Sequence, residues 1–283
     1  MKYLPLVIIL SLILFVIVMI VIDSNRFVVR TYTITTDKIS SDKKLMFLSD
    51  LHNKDYGHDN RKLLLRIKSL NPDYVLIGGD IMTAYPGADF TPAVKFTKAV
   101  HKDFKLIYAE GNHEYRAGLY PDFYGTMHDD YINALKEDGI DISVNTHEDI
   151  LDDLRVYSLS IEHKYYRRLK LYPMKDDYIE SLLGKPLEDK YNILLAHNPD
   201  YFEKYAKWGA DLSLGGHVHG GVVRIPFSKG VISPMWKFFP KYDGGLFNEY
   251  GKKLIVSRGL GMHTIHMRLF NPAEIVMINL KKA

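Results

Sequence analysis

The chain has 283 residues, 47% of them apolar and 25% charged, which is the composition of a folded globular protein and excludes disorder as the default. It contains no cysteine, so a disulfide framework and a thiolate metal site are both excluded, and any metal must be held by nitrogen and oxygen. Lys and Arg number 37 against 34 Asp and Glu, and the resulting +3 is too small to favour nucleic acid as a partner on electrostatic grounds.

The first element, Tyr3 to Ile22, is uncharged and rich in Ile, Leu and Val. About 20 such residues span the ~30 Å hydrocarbon core of a bilayer as a helix. Pro5 falls in the first turn, where it is tolerated. The rival reading is a cleaved signal peptide, with a shorter apolar region and small residues at a cleavage site. Val21-Ile22-Asp23-Ser24-Asn25-Arg26 offers no such site, so a retained transmembrane anchor over residues 1–22 is predicted. Lys2 precedes the span and Arg26 and Arg30 follow it, so the positive-inside count does not choose an orientation. The two-residue tail before the span is most simply the end of a signal anchor, which places the remaining chain outside the membrane.

Residues 23–44 read as a linker and first strand. Phe27 to Thr36 is β-branched and aromatic, with Val28, Tyr32 and Ile34 on one parity and Arg30 interrupting that face. Further strands are predicted at Leu45 to Ser49, Tyr74 to Ile77 and Leu106 to Ala109. Helical spacing separates them at Arg61 to Leu70, stopped by Asn71-Pro72-Asp73, and at Thr91 to Lys102. A helix follows at Asp129 to Glu137. The second half is richer in strands, at Asp141 to Val144, Leu154 to Leu159, Asn192 to Ala196, Leu212 to Leu214, Gly221 to Ile225, Lys253 to Ser257 and Glu274 to Leu280. Helices near Lys175 to Leu183 and Asp200 to Lys207 punctuate them. Such alternation is the signature of a layered α/β domain.

Five short motifs close hydrophobic runs with metal-ligand residue types: Asp50-Leu51-His52, Gly78-Gly79-Asp80, Gly111-Asn112-His113-Glu114, Ala196-His197-Asn198 and Gly216-His217-Val218-His219. Each alone reads equally as a cap or a turn. Together, in order and at strand ends, they fit a paired-metal hydrolytic centre, because open α/β sheets build their sites at the carboxyl ends of strands.

This series of motifs resembles the calcineurin-like metallophosphoesterase family, over residues 45–283. The resemblance implies a four-layer α/β/β/α sandwich of two mixed sheets, here preceded by one transmembrane helix. It implies two metal ions, with Asp50, His52 and His219 on the first, Asn112, His197 and His217 on the second, and Asp80 bridging both. Mn, Fe and Zn all suit that mixed ligation. A hydroxide held between the metals would attack phosphorus, and His113 would act as an acid or a phosphoryl-binding group, oriented by a carboxylate such as Asp50. Glu114 would stand behind the ligands. Phe239-Pro240-Lys241-Tyr242-Asp243-Gly244-Gly245-Leu246, Val256-Ser257-Arg258-Gly259-Leu260-Gly261 and Arg268-Leu269-Phe270-Asn271 resemble the bacterial membrane-anchored YkuE/YaeI-type phosphodiesterases. Gly261 to Met267 departs from that branch, where a proline-containing turn is usual.

Three further residues are candidates for substrate binding. Arg258 follows a strand in a Gly-rich turn, His163 opens the basic aromatic run to Tyr172, and His58 lies in the loop after the first motif. His101, His128, His147, His263 and His266 are read as structural. The run Trp236-Lys237-Phe238-Phe239 suits a bilayer interface or a lid. The resulting expectation is a membrane-tethered phosphoesterase acting on a lipid-linked or envelope phosphodiester or phosphomonoester. A nucleotide or protein phosphatase of the same fold, and a non-catalytic scaffold, are the alternatives.

Overall fold

A computed structural model of the chain describes residues 2–226, 228–262 and 264–283. The elements run α1 (Leu4–Asn25), β1 (Phe27–Thr36), β2 (Lys43–Leu48), α2 (Arg61–Leu70), β3 (Tyr74–Ile77), α3 (Thr91–Asp103), β4 (Lys105–Ala109), α4 (Asn112–Leu119), α5 (Pro121–Tyr124), α6 (Met127–Lys136) and β5 (Ile142–Ser143). They continue with β6 (Thr146–Leu151), β7 (Leu154–Leu159), α7 (Tyr178–Leu183), β8 (Tyr191–Ala196), α8 (Phe202–Trp208), β9 (Leu212–Gly215), β10 (Val223–Arg224), β11 (Gly230–Ile232), β12 (Gly245–Glu249), β13 (Lys252–Val256) and β14 (Ala273–Lys282).

Two six-stranded mixed sheets result, ordered β1-β14-β2-β3-β4-β5 and β12-β13-β9-β8-β7-β6. Strands β2, β3 and β4 are parallel neighbours in the first sheet, and β7, β8 and β9 are parallel neighbours in the second. Both central triplets are apolar because both of their faces are covered. Leu45, Phe47, Leu76, Ile193, Leu195 and Leu214 fill the space between the sheets. Met46, Leu48, Val75 and Ile77, on the opposite parity, meet Leu63 and Ile67 of α2, Phe96 of α3 and Tyr131 of α6. On the far side Tyr157, Leu194 and Val256 meet Ile179 of α7 and Phe202 and Tyr205 of α8. Helix, sheet, sheet and helix are thus four layers with three cores between them.

The first strand is an integral part of the first sheet, paired in parallel with β14 over its whole length. Arg30, which breaks the apolar parity of β1, points to the buried Glu274 of β14 with Nε 2.7 Å from its carboxylate. Helix α4 has no counterpart in the sequence expectation. Gly111-Asn112-His113-Glu114 reads as a turn, but the Glu114 side chain accepts the Gly111 amide at 3.1 Å and opens a helix there. Strand β6 was not expected either, because its Thr146, His147, Glu148 and Asp149 are all exposed and carry no apolar alternation.

Leu45 is fully buried between the sheets, whereas Leu65 on α2 is 57% exposed. Leu45→Ala is expected to cost about 2–5 kcal/mol, and Leu65→Ala within about 0.5 kcal/mol. Denaturant unfolding of the two variants checks this, and equal midpoints would contradict the layer assignment.

Candidate metal centre

The five motifs follow β2, β3, β4, β8 and β9, so the carboxyl ends of both parallel triplets meet at one edge of the sandwich. Three groups of side chains there bring ligand atoms within 4.8 Å of one another: Asp50, His52 and His219; Asp80, His197 and His217; and His52, Asp80 and His113. All of these residues are buried. His219 Nε2 lies 3.3 Å from Asp50 Oδ1, and His197 Nε2 lies 3.1 Å from Asp80 Oδ2. His52 Nε2 stands between the carboxylates, 3.9 Å from Asp50 and 3.8 Å from Asp80.

The backbone is bent to make this convergence. Asp50, His52, Asp80, His217 and His219 all have positive φ, between 49° and 67°. Non-glycine residues rarely occupy this region, and such strain collects at functional sites. It also separates His217 from His219. In an extended segment the two would point the same way, but the left-handed turns send His217 to Asp80 and His219 to Asp50.

His197, Asp80 and Asp50 are aimed by bonds that leave one atom of each for the cluster. His197 Nδ1 donates to the Gly78 carbonyl at 2.6 Å, which leaves Nε2 for the cluster. Asp80 Oδ1 accepts the His113 amide at 2.8 Å and leaves Oδ2 facing the imidazoles. Asp50 accepts the His217 amide at 3.0 Å and the Ser49 hydroxyl. Glu114 accepts the amides of Asp80 and Ile81, both at 2.9 Å, and the Tyr108 hydroxyl at 2.8 Å. It therefore stands behind Asp80 and holds the loop after β3 against α4. Burial, and then the charge of Asp80, push the Glu114 carboxyl up to about 7.

The electrostatics are those of a site made for cations. Burial favours neutral carboxyls, yet His219 and His197 outweigh it at Asp50 and hold that carboxyl at about 2. Asp80 is likewise well below the usual carboxylate range, held there by His197 and His113 against burial. Burial also opposes a charge on His197, but Asp80 and Asp50 raise its imidazole to about 10. His217, buried and beside that imidazolium, falls to about 3. Among the described residues, the Asn112 carbonyl oxygen is buried without a hydrogen-bond partner. An orphaned carbonyl together with the clustered carboxylates and imidazoles makes an all-N/O donor set suited to divalent transition metals.

His113 differs from the other histidines. The Ala84 amide donates to its Nδ1 at 2.8 Å, so a neutral ring carries its proton on Nε2, 4.0 Å from Asp80. Burial lowers this imidazole to about 4. The carboxylate it faces is Asp80 rather than Asp50. Arg116, one helical turn further along α4, donates to the Ala84 carbonyl at 2.8 Å and lies 3.5 Å from His113 Nδ1. Sequence reasoning missed Arg116 because the helix was not recognised; an i, i+3 step from His113 would have placed it on the same face.

Two cavities open onto the cluster. One, of about 480 Å³, reaches His217 and is lined by Arg167, Leu169, Lys170, Trp236 and Phe238. The other, of about 550 Å³, reaches His52 and His113 and is lined by Arg116, Arg168, Thr264 and His266. His266, read as structural in the sequence, is thus beside the centre, and His263 lies outside the described residues. Trp236 and Phe238 lie over the first cavity. His163 is half-buried in a 3₁₀ turn, 3.3 Å from the Tyr120 hydroxyl, and lines neither cavity. His58 is exposed and pairs with Asp59 at 3.5 Å. Arg258 lies in a separate cavity with Arg30 and Arg224.

A calcineurin-like phosphoesterase model matches residues 43–221, well over half of the chain and all five motifs, and the chain belongs to that family. Three bacterial relatives are similar over most of its length. An uncharacterised metallophosphoesterase of Bacillus subtilis, YkuE, is 26% identical over 243 residues, covering 84% of this chain and 79% of YkuE. The phosphodiesterase YaeI of Escherichia coli is 26% identical over 84% of this chain and 82% of its own. The UDP-2,3-diacylglucosamine pyrophosphatase LpxG of Chlamydia muridarum is 23% identical over 83% of this chain and 82% of its own.

Gly216 permits the close approach of the two sheets' loops, because a Cβ there would collide with the Ser49 hydroxyl and the Asp50 carboxylate. Gly216→Ala is expected to weaken manganese binding by about 10–100-fold, with the fold intact by circular dichroism. Unchanged affinity in a metal titration would contradict the placement of Asp50 in the centre.

Proposed function

We propose that this chain is a membrane-tethered, dinuclear-metal phosphodiesterase whose substrate carries its phosphate on a lipid. Phosphoester hydrolysis follows from the family and from the clustered Asp and His groups. The diester and lipid parts are supported by one observation, the pair of cavities that open onto the cluster. A diester carries two substituents on its phosphorus, and two cavities open here, one at His217 and the other at His52 and His113. The larger exposed side chains around the first are Leu169, Leu171, Trp236 and Phe238, set among Arg167, Lys170 and Lys237. Apolar groups interleaved with cations suit an acyl-bearing anion. The relative named as a UDP-2,3-diacylglucosamine pyrophosphatase acts on a molecule of that kind.

The ligand sets proposed are Asp50, His52 and His219 for one ion, Asn112, His197 and His217 for the other, and Asp80 shared. Bound there, two divalent cations would supply Lewis acidity and a nucleophile at neutral pH. The residues of the chain do the rest. His113, with its proton on Nε2, donates a hydrogen bond to a phosphoryl oxygen and to the oxygen of the departing group as charge develops there, keeping its proton. Arg116 and Arg168 face the same cavity as His113 and hold the anionic leaving side. Glu114 keeps the Asp80 amide and α4 in register. The proton on Nε2 is also the reason for placing His113 among the donors rather than the ligands.

Helix α1 is long and apolar enough to cross a membrane, and its last turn is part of the domain. Asp23 accepts the Asn271 amide at 3.1 Å, and the Ser24 hydroxyl accepts the Arg268 amide at 3.0 Å, both in buried positions. Retention of the helix, with the domain on the outer face, is part of the proposal. Cleavage after Ile22 would place a new chain end at these buried contacts.

Three outcomes test the reading. His113→Ala should lower turnover of bis-p-nitrophenyl phosphate about 10²–10⁴-fold while the metal content stays that of the wild type; metal loss in this variant would make His113 a ligand. Replacing Trp236 and Phe238 with Ser should reduce hydrolysis of vesicle-borne diesters far more than that of the small ester. Equal losses would leave those side chains a folding role only. Removal of residues 1–20, which spares Asp23 and Ser24, should preserve activity on the soluble ester and abolish vesicle association.

A further inference from the structure

A second cavity rich in arginine lies at the foot of α1, away from the metal cluster. It measures about 590 Å³, and its polar wall is formed by Arg26, Arg30, Arg224 and Arg258, with Asp23. None of the metal-centre residues lines it. The charges do not balance locally. Arg26 pairs with Asp23 at 2.7 Å, Arg224 pairs with Asp243 at 3.0 Å, and Arg30 and Arg258 share the one carboxylate of Glu274, at 2.7 and 3.6 Å. Four guanidinium groups thus face three carboxylates. Glu274 is further occupied by the Arg258 amide at 2.9 Å.

The sharing is imperfect in geometry as well as in number. The Nε atoms of Arg30 and Arg258 are both buried, and neither makes an aligned hydrogen bond among the described residues. A guanidinium presents five donors in a fixed fork, and burying it with donors unmet is costly. Burial lowers Arg258 to about 10, and Arg224 and Arg30 add to that against the pull of Glu274. An anion that entered the cavity beside these arginines would relieve the repulsion among them.

The other wall says where that anion comes from. Met19, Ile225, Pro226 and Phe270 complete the cavity. Phe270 stacks obliquely on Phe15 of α1, with ring centroids 6.3 Å apart. Phe15 is about seven residues, or ~10 Å along a helix, before the end of the apolar run at Ile22. The cavity itself runs from Met19, within the apolar run of α1, to Asp23 and Arg26 at the helix end, where a bilayer places its phosphates.

We propose that this cavity is a binding site for a phosphate-bearing anion, occupied by the headgroup of an anionic phospholipid from the surrounding leaflet, and distinct from the hydrolytic centre. The lipid phosphate sits among Arg26, Arg30 and Arg258, and its acyl chains run along Met19, Ile225 and Phe270. The site fixes how the domain sits on the bilayer, because the lipid bridges α1 and the β1–β14 edge. The lipid source rests on the reading of α1 as a membrane helix; the anion chemistry does not.

The test uses the full chain, loaded with manganese, in neutral detergent. Short-chain phosphatidylglycerol, short-chain phosphatidylcholine and inorganic phosphate are titrated separately into wild type, Arg26→Gln and Arg30→Gln. Phosphatidylglycerol should bind at least about tenfold more tightly than phosphatidylcholine, and each substitution should weaken it about tenfold. Hydrolysis of bis-p-nitrophenyl phosphate should be unchanged in the variants, which confirms their folding. Arg26 is half-exposed, so Arg26→Gln remains informative if Arg30→Gln does not fold. Inorganic phosphate binding as tightly as the lipid, with the same dependence on Arg30, would keep the anion site and assign it to free phosphate. Equal affinity for the two lipids, or no effect of either substitution, would overturn the site. Flotation of the full chain with phosphatidylcholine vesicles separates the two readings. A chain that floats but shows no preference for the anionic lipid refutes the anion site alone. A chain that does not float refutes the anchor, and the effect of Arg30→Gln on phosphate binding then decides the site.

Discussion

Two carboxylates, Asp50 and Asp80, are buried at one edge of this sandwich within reach of the same histidines. Burying unpaired carboxylates costs several kcal/mol each, so the fold is committed to placing positive charge between them. In the chain by itself that charge is the protonated His197. The pair of divalent cations proposed would fulfil the same requirement more completely and would also satisfy the Asn112 carbonyl. The geometry of the loops, the sequence of the motifs and the position of the cavities all follow from that demand.

Meeting it requires backbone that most residues avoid. Five of the proposed ligands are left-handed, and their strain is borne by close packing and hydrogen bonds around them. Gly79, at φ 89°, passes so close to Gly111 that a Cβ would strike its backbone. Glu114 accepts amides from both the loop after β3 and the start of α4, and it joins Tyr108 and, through it, Tyr131. Substituting any of these would loosen the loops before it touched a ligand. The sheets contribute by parallel order, since only neighbours running the same way bring their carboxyl ends to one edge.

The parts legible in the sequence were those with strong local pattern. Strands β2, β3 and β8 are apolar runs bounded by glycine or ligand motifs, and α2 is amphipathic with a stop at Asn71-Pro72. The ligand motifs were legible because their residue types and order are those of a known family. What was hidden depended on partners distant in the chain. β6 is a polar edge strand, held by pairing with β7 rather than by burial. Arg258 reads as a phosphate ligand from its Gly-rich turn, yet while the turn's backbone packs on Asp50, the Arg258 side chain lies with Arg30 and Glu274 in another cavity. Asp23 and Ser24 read as the flank of a membrane helix, while their side chains cap the backbone of Arg268 and Asn271, more than 240 residues later. No local periodicity carries such contacts.

The apolar helix and the domain are therefore one structure, with the last turn of α1 ending inside the fold. Two cavities open onto the cluster, and one of them carries exposed apolar side chains, Leu169, Trp236 and Phe238, at its rim. All of this depends on the paired carboxylates holding paired cations. The most direct measurement is the metal-to-protein ratio, by elemental analysis of the full chain after loading with manganese and removal of loosely bound ions. The account requires two ions per chain; one ion, or none, would contradict it.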